Sequence, residues 1–250
     1  MKKKSRILFY PLILMGALIT LAISCSKEEN DENPTPTTVT DIDGNVYNTI
    51  KIGTQVWMVE NLRTTKFNDG NAIPNVTDNT AWSSLTTSAY CWYNNDATTN
   101  KSTYGALYNW YAVNSGKLCP AGWHVATDAD WQKLEIYLGL SSALANSTER
   151  ESNPTNEGSK LAGNATLWTD GLLDSNPGFG SSGFTALPAG VRSEQDGTFK
   201  YINQLGAWWT STVYDASFAW DRKIFNEVIY IDRDESDPKG VGMSIRCVKD

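Results

Sequence analysis

Histidine is almost missing, with one in 250 residues. That single imidazole, His124, excludes a histidine-rich metal centre and leaves only one base for a serine or cysteine nucleophile. Basic clusters are scarce too. Lys and Arg number 21 against 28 Asp and Glu, and four of the cations (Lys2, Lys3, Lys4 and Arg6) crowd into the first six positions. With those four set aside, 17 basic residues face all 28 acidic ones, a net charge near −11. Affinity for a nucleic-acid backbone comes from Lys and Arg on phosphates, so no nucleic-acid partner is expected. A calcium loop fails at the one place that invites it. In residues 41–52 the glycine is out of position for an EF-hand, and Ile52 stands where the bidentate Glu belongs. No cofactor and no metal ligand is therefore assigned. Cysteine is limited to Cys25, Cys91, Cys119 and Cys247. Tryptophan, by contrast, is abundant, with ten residues, all beyond position 50. A chain that is 40% hydrophobic and 11% aromatic over this length has the makings of a sizeable folded core.

Residues 1–24 read as an address. A basic start precedes a long apolar run, and small residues stand just before Cys25. The ending Ala22-Ile23-Ser24-Cys25 resembles a bacterial lipoprotein signal. That resemblance implies removal of the leader and acylation of Cys25 with palmitate-type chains, so that the partner at this end is a membrane. The alternative is an uncleaved anchor, since residues 7–23 are almost long enough to span. The acidic run that follows, residues 26–33, resembles the surface-export signal of Bacteroidetes lipoproteins. It implies an outer-membrane protein facing the cell exterior; the plainer reading is a solvated tether. Residues 34–40, PTPTTVT, continue the tether as a stiff, extended linker. The expected organisation is a signal over 1–24, a tether over 25–40 and one domain over 41–250.

The stretch at 118–135, LCPAGWHVATDADWQKLE, organises the domain. Thr127 is a helix N-cap and Asp130 can complete a capping box. Ala126 and Trp131 take staple positions, Trp131, Leu134 and Leu138 recur at helical spacing, and Gly139 is the stop. Upstream, residues 41–47 (DIDGNVY) predict a tight turn feeding a strand, and residues 50–58 a strand around a glycine turn. Residues 104–112 are a short buried element of either kind. Downstream come a polar loop at 141–157, a short helix near 158–163 and a long loop at 170–183. Strands are expected at 184–192, 207–212, 218–220, 228–231 and 242–248. Adjacent Trp208 and Trp209 should face opposite sides of their strand, one in the core and one on a second surface.

The segments DIDGNVY (41–47), IGTQVWMVENLR (52–63), YGALYNWYAV (104–113), CPAGWHVATDADW (119–131), GFTALPAGVR (183–192), WWTST (208–212) and MSIRCVKD (243–250) resemble, in order, the Fibrobacter succinogenes major paralogous domain. This is a family of bacterial secreted and lipoprotein modules. The pattern is also similar, more distantly, to the C-type-lectin-like fold. The resemblance implies an α+β domain with one or two helices packed on irregular antiparallel β-sheet and long loops. It also implies a disulfide between Cys119, before the first helix, and Cys247, on the final strand; the aromatic neighbours of the remaining Cys91 point to a buried free thiol, and pairing of Cys91 with either is the rival. The resemblance carries no biochemical activity with it.

Three functions remain to be weighed. A sugar-binding module would use exposed aromatics as stacking platforms. The candidates are Trp82, Trp92 and Trp220 with Asp221, and around them Trp168, Tyr214, Asn94, Asn95 and Asp96. The opposing expectation is that at least six tryptophans are core. The Glu-Pro-Asn, Gln-Pro-Asp and Trp-Asn-Asp motifs of calcium-dependent lectins are absent, and Trp220-Asp221-Arg222 is only a partial echo. An enzyme is the weakest reading. WHVATDADW is similar to a segment of formylglycine-generating enzymes, which need two nearby late cysteines where this chain has Cys247 alone. No catalytic residue is assigned, and His124 reads as a hydrogen-bonded structural residue. The favoured expectation is a non-enzymatic binding or adhesion module that contacts a glycan or a surface protein.

Overall fold

The computed structural model describes residues 37–152 and 154–250, so Cys25, the leader and most of the tether lie outside the described residues. Twelve strands are present among those described: β1 (Thr38–Thr40), β2 (Val46–Ile52), β3 (Gln55–Met58), β4 (Tyr90–Cys91), β5 (Leu107–Tyr108), β6 (Trp123–Val125), β7 (Val191–Arg192), β8 (Phe199–Lys200), β9 (Leu205–Val213), β10 (Ala219–Phe225), β11 (Asp232–Asp234) and β12 (Cys247–Lys249). Seven α-helices accompany them: α1 (Asn79–Ser83), α2 (Ala97–Tyr104), α3 (Trp110–Val113), α4 (Asp128–Tyr137), α5 (Ser142–Ala145), α6 (Glu157–Leu161) and α7 (Leu172–Ser175). The class is mixed α and β with antiparallel sheets. Five strands make one sheet in the order β1-β2-β3-β12-β6, and three make a second in the order β11-β10-β9.

Local chemistry explains the framework. Asp41 accepts from the backbone of Asp43 and Asn45, and Gly44 takes the positive φ of +81° that closes the turn between β1 and β2. The tether is therefore shorter than expected: Thr38–Thr40 pairs with Val46–Asn48 as a strand, because this turn folds the linker's end back onto β2. Helix α4 begins with the anticipated box. Thr127 Oγ1 accepts from the Asp130 backbone at 3.1 Å, and the Asp130 carboxylate accepts from the Thr127 backbone at 3.0 Å. Its buried stripe, Trp131, Leu134 and Leu138, packs into one core with Trp57, Phe184 and Trp208. Trp131 stands 5.3 Å from Trp57 and 6.0 Å from Trp208, centroid to centroid.

Trp208 and Trp209 do face opposite sides of β9, but neither reaches a surface. Trp209 lies in a second core with Tyr108, Met243 and Ile245, so the β9–β11 sheet is buried on both sides along β9. Between the two main sheets sits a buried polar knot. The Asn61 carboxamide oxygen accepts from Trp208 Nε1 at 2.9 Å and from Arg246 Nε at 2.8 Å. Arg246 also donates to the carbonyls of Met58, Phe184 and Thr185. Burial lowers its pKa to about 9.

Several expected strands shrink. Only Val191–Arg192 of 184–192 and only Cys247 onward of 242–248 lie in strands. Residues 228–231 turn instead. Gly158 packs so closely on the Tyr230 carbonyl that a Cβ there would stand 2.3 Å away, and this contact holds the segment against α6. Residues 104–112 contain both a strand, β5, and the start of a helix, α3. Cys119 and Cys247 are disulfide-bonded across 128 residues. A loop of that length adds about 4–5 kcal/mol in the chain-entropy account. Cys91 is free and buried, and burial pushes its thiol pKa up to about 12, which disfavours the thiolate.

Candidate binding site

Eight of the ten tryptophans are buried, which removes most of the expected stacking platforms. Trp82 is core because Arg192 lies on its face, 4.4 Å from the ring centroid, while donating to the carbonyls of Val76, Thr77 and Asp78. Trp92 is core because Tyr90 meets its ring edge-on at 5.3 Å, with the Lys101 ammonium 5.5 Å from the ring centroid. Trp168 is fixed by its indole N–H to the Gly163 carbonyl. Asp96 is spent capping α2 through the Thr99 backbone. Trp220 alone of the three leading tryptophans is partly open, edge-on to the half-exposed Tyr214 at 5.1 Å. One of its faces is already taken by the Arg233 guanidinium at 3.4 Å.

Trp220 and Asp221 do not share a site. They are neighbours on β10, and neighbours on a strand point to opposite faces. Trp220, Arg222 and Ile224 line one face; Asp221, Lys223 and Phe225 line the other. Directly paired residues share a face, so the register sets Arg233 beside Arg222 on the first, and Asp234 and Asp232 beside Asp221 and Lys223 on the second.

On the arginine face each guanidinium has a carboxylate partner. Arg233 contacts both oxygens of Asp128 at 2.9 Å, and Arg222 reaches Asp128 at 2.8 Å and Glu135 at 2.6 Å. Arg150 closes the network on Glu135 at 2.8 Å. On the acidic face Lys223 is the one ammonium among Asp221, Asp232, Asp234 and Asp237. Its Nζ lies 2.5 Å from Asp234 and 2.6 Å from Asp237, but 4.0 Å from Asp221. The Asp237 approach is an ion contact without hydrogen-bond geometry. Both Asp221 oxygens are fully buried and lack any hydrogen bond. Burial drives the Asp221 carboxyl far above the usual carboxylate range and lifts Asp232 to about 6. Carboxylates crowd Lys223 closely enough to outweigh its own burial and keep it protonated.

Beside this cluster opens a cavity of about 200 Å³, walled by Val191, Leu205, Phe225, Val241 and Met243, with Lys223 and Asp237 as its charged end. Tyr201 stands at its rim, half exposed and held at a φ of +64°. A non-glycine residue in the left-handed region carries local strain of the kind concentrated at ligand sites. Sequence reasoning missed Tyr201, Lys223, Asp234 and Asp237. The available signal was the alternation of acids in DRDESD (232–237) beside WDRK (220–223). A second, polar groove of about 370 Å³ contains His124, Asp130, Lys133 and Asp250. Both imidazole nitrogens of His124 are engaged there, with Asp250 at 2.6 Å and Asp130 at 3.0 Å, leaving neither free as a base.

Antiparallel sheets clamped by one long-range disulfide, with an apolar cavity ending in charge, define a mixed α and β, disulfide-closed domain. The chain belongs to the Fibrobacter succinogenes major domain family, whose model matches residues 50–249. No curated protein and no solved structure matches it. Among the described residues no helix is long and apolar enough to cross a membrane.

Proposed function

We propose that the chain is a non-enzymatic binding module, carried on a lipid at Cys25 and facing outward from the outer membrane, with its ligand seat in the cavity beneath Tyr201. The observation that carries the reading is that cavity: apolar walls, one charged end and an exposed aromatic at the mouth. Such a seat fits a single small ring bearing hydroxyls. The ring face stacks on Tyr201, and hydroxyls reach Asp237 and Lys223. A terminal sugar residue has that chemistry, which makes carbohydrate the favoured ligand class. The C-type-lectin-like arrangement is part of the proposal, supported by the Cys119–Cys247 bond between the entry to the central helix and the last strand.

The test is a glycan array probed with the chain lacking residues 1–25, read by intrinsic fluorescence. Binding lost in Tyr201→Ala and kept in Trp220→Ala supports the cavity. The reverse pattern moves the site to the Trp220 and Tyr214 edge. An empty array shifts the reading to protein contact, for which the half-exposed Val213 and Tyr214 are the first residues to substitute. Display is tested separately. Metabolic labelling with palmitate should mark the chain and fail in Cys25→Ser.

A further inference from the structure

We infer that Asp221, Asp234 and Asp237 are the protein ligands of a hard divalent cation, calcium by its chemistry, and that Lys223 holds the place of that ion until it binds. This goes beyond the ligand reading above and rests on the acidic cluster, not on what fills the cavity. One carboxylate oxygen from each of the three aspartates lies within 4.8 Å of the others. An ion with bonds of about 2.4 Å to oxygen bridges that span. All the donors are carboxylate oxygens, with no histidine or cysteine in the group, which selects hard cations over zinc or copper. Calcium accepts an irregular shell completed by water, whereas magnesium demands a compact octahedron.

The independent sign is Asp221. A fully buried carboxyl with both oxygens unbonded is costly, and buried polar groups are ordinarily paired. Lys223 pairs it only at long range, with no hydrogen bond: Nζ is committed to Asp234 and Asp237 and stays 4.0 Å from Asp221. Counting Asp232, four carboxyl groups surround one ammonium. A divalent ion seated among Asp221, Asp234 and Asp237 gives the Asp221 oxygens the close partner they lack. Lys223 already lines the neighbouring cavity, which gives its side chain a place to go. The route in runs past Asp234 and Asp237, whose side chains are 27% and 23% exposed.

The experiment is a calcium chloride titration, by calorimetry and thermal melting, of the chain lacking residues 1–25 after dialysis against chelator. One saturable site is expected, with Tm raised by about 5 °C at a hundredfold excess over Kd. Lys223→Met should bind at least tenfold more tightly, because no ammonium competes. Asp221→Asn should bind at least tenfold more weakly with its circular dichroism unchanged. Asp237→Asn, on the more open side, serves the same purpose if Asp221→Asn does not fold. No heat and no change in Tm in either the natural chain or Lys223→Met overturns the inference, as does full affinity in the Asp→Asn variants. The titration contains no glycan, so its failure leaves the sugar reading standing, and an empty glycan array leaves the cation site standing.

Discussion

The two faces of β10 solve the same electrostatic problem differently. Each buries like charges directly across a strand pair, Arg222 beside Arg233 on one face and Asp221 beside Asp234 on the other. Like charges in that position repel. The arginine face answers with Asp128 and Glu135, placed by α4, so that three guanidinium groups share two carboxylates through close hydrogen bonds. The acidic face answers with one lysine and leaves Asp221 unbonded. The first arrangement is finished within the protein. The second is finished only by something added to it.

The largest expected effect tests the finished face. Glu135→Ala strands Arg222 and Arg150 without their shared carboxylate in a fully buried setting, and urea denaturation should show a loss of about 3–5 kcal/mol. A loss under about 1 kcal/mol would mean the network is not the brace described. The next tests the unfinished face. In chelator, Asp221→Asn should change stability by less than about 1 kcal/mol, because no hydrogen bond is lost. A cost matching that of Glu135→Ala would erase the contrast.

The smallest effect belongs to an exception on the arginine side. Glu157 is buried with one oxygen unbonded, and burial raises its pKa above 4.5 against a partly opposing bond from Thr155. The folded state therefore holds its proton more tightly than the unfolded chain. That contribution is fully present below pH 4.5 and is lost as pH rises through the folded value. Glu157→Gln should flatten this part of the stability profile, measured by melting between pH 4 and 7. An unchanged slope would assign it to another group.

What could be read in advance follows the range of the interactions. The Thr127–Asp130 cap and the Gly44 turn were legible because each is settled within five residues. The Cys119–Cys247 bond was legible only through family resemblance, since nothing local joins residues 128 apart. The burial of most aromatic candidates was not legible for a related reason. Composition shows that Trp82 is aromatic, but its exposure is decided by Arg192, over a hundred residues away. Trp220 and Asp221 were grouped because they are adjacent, although strand alternation separates them. The acidic cluster was half visible, as alternating acids on two segments, but the register that sets Asp221 against Asp234 is a property of the folded sheet.

β12 lies between β3 and β6, so the strand latest in this sheet's sequence order fills a middle lane of the five-stranded sheet. A chain still emerging from the ribosome has both neighbours in hand and nothing to place between them. A nascent fragment stopped before residue 246 also lacks the disulfide partner of Cys119 and the Arg246 guanidinium that ties Asn61 to Phe184. The sheet thus closes only once residues 246–249 are in place, however early its other strands are made.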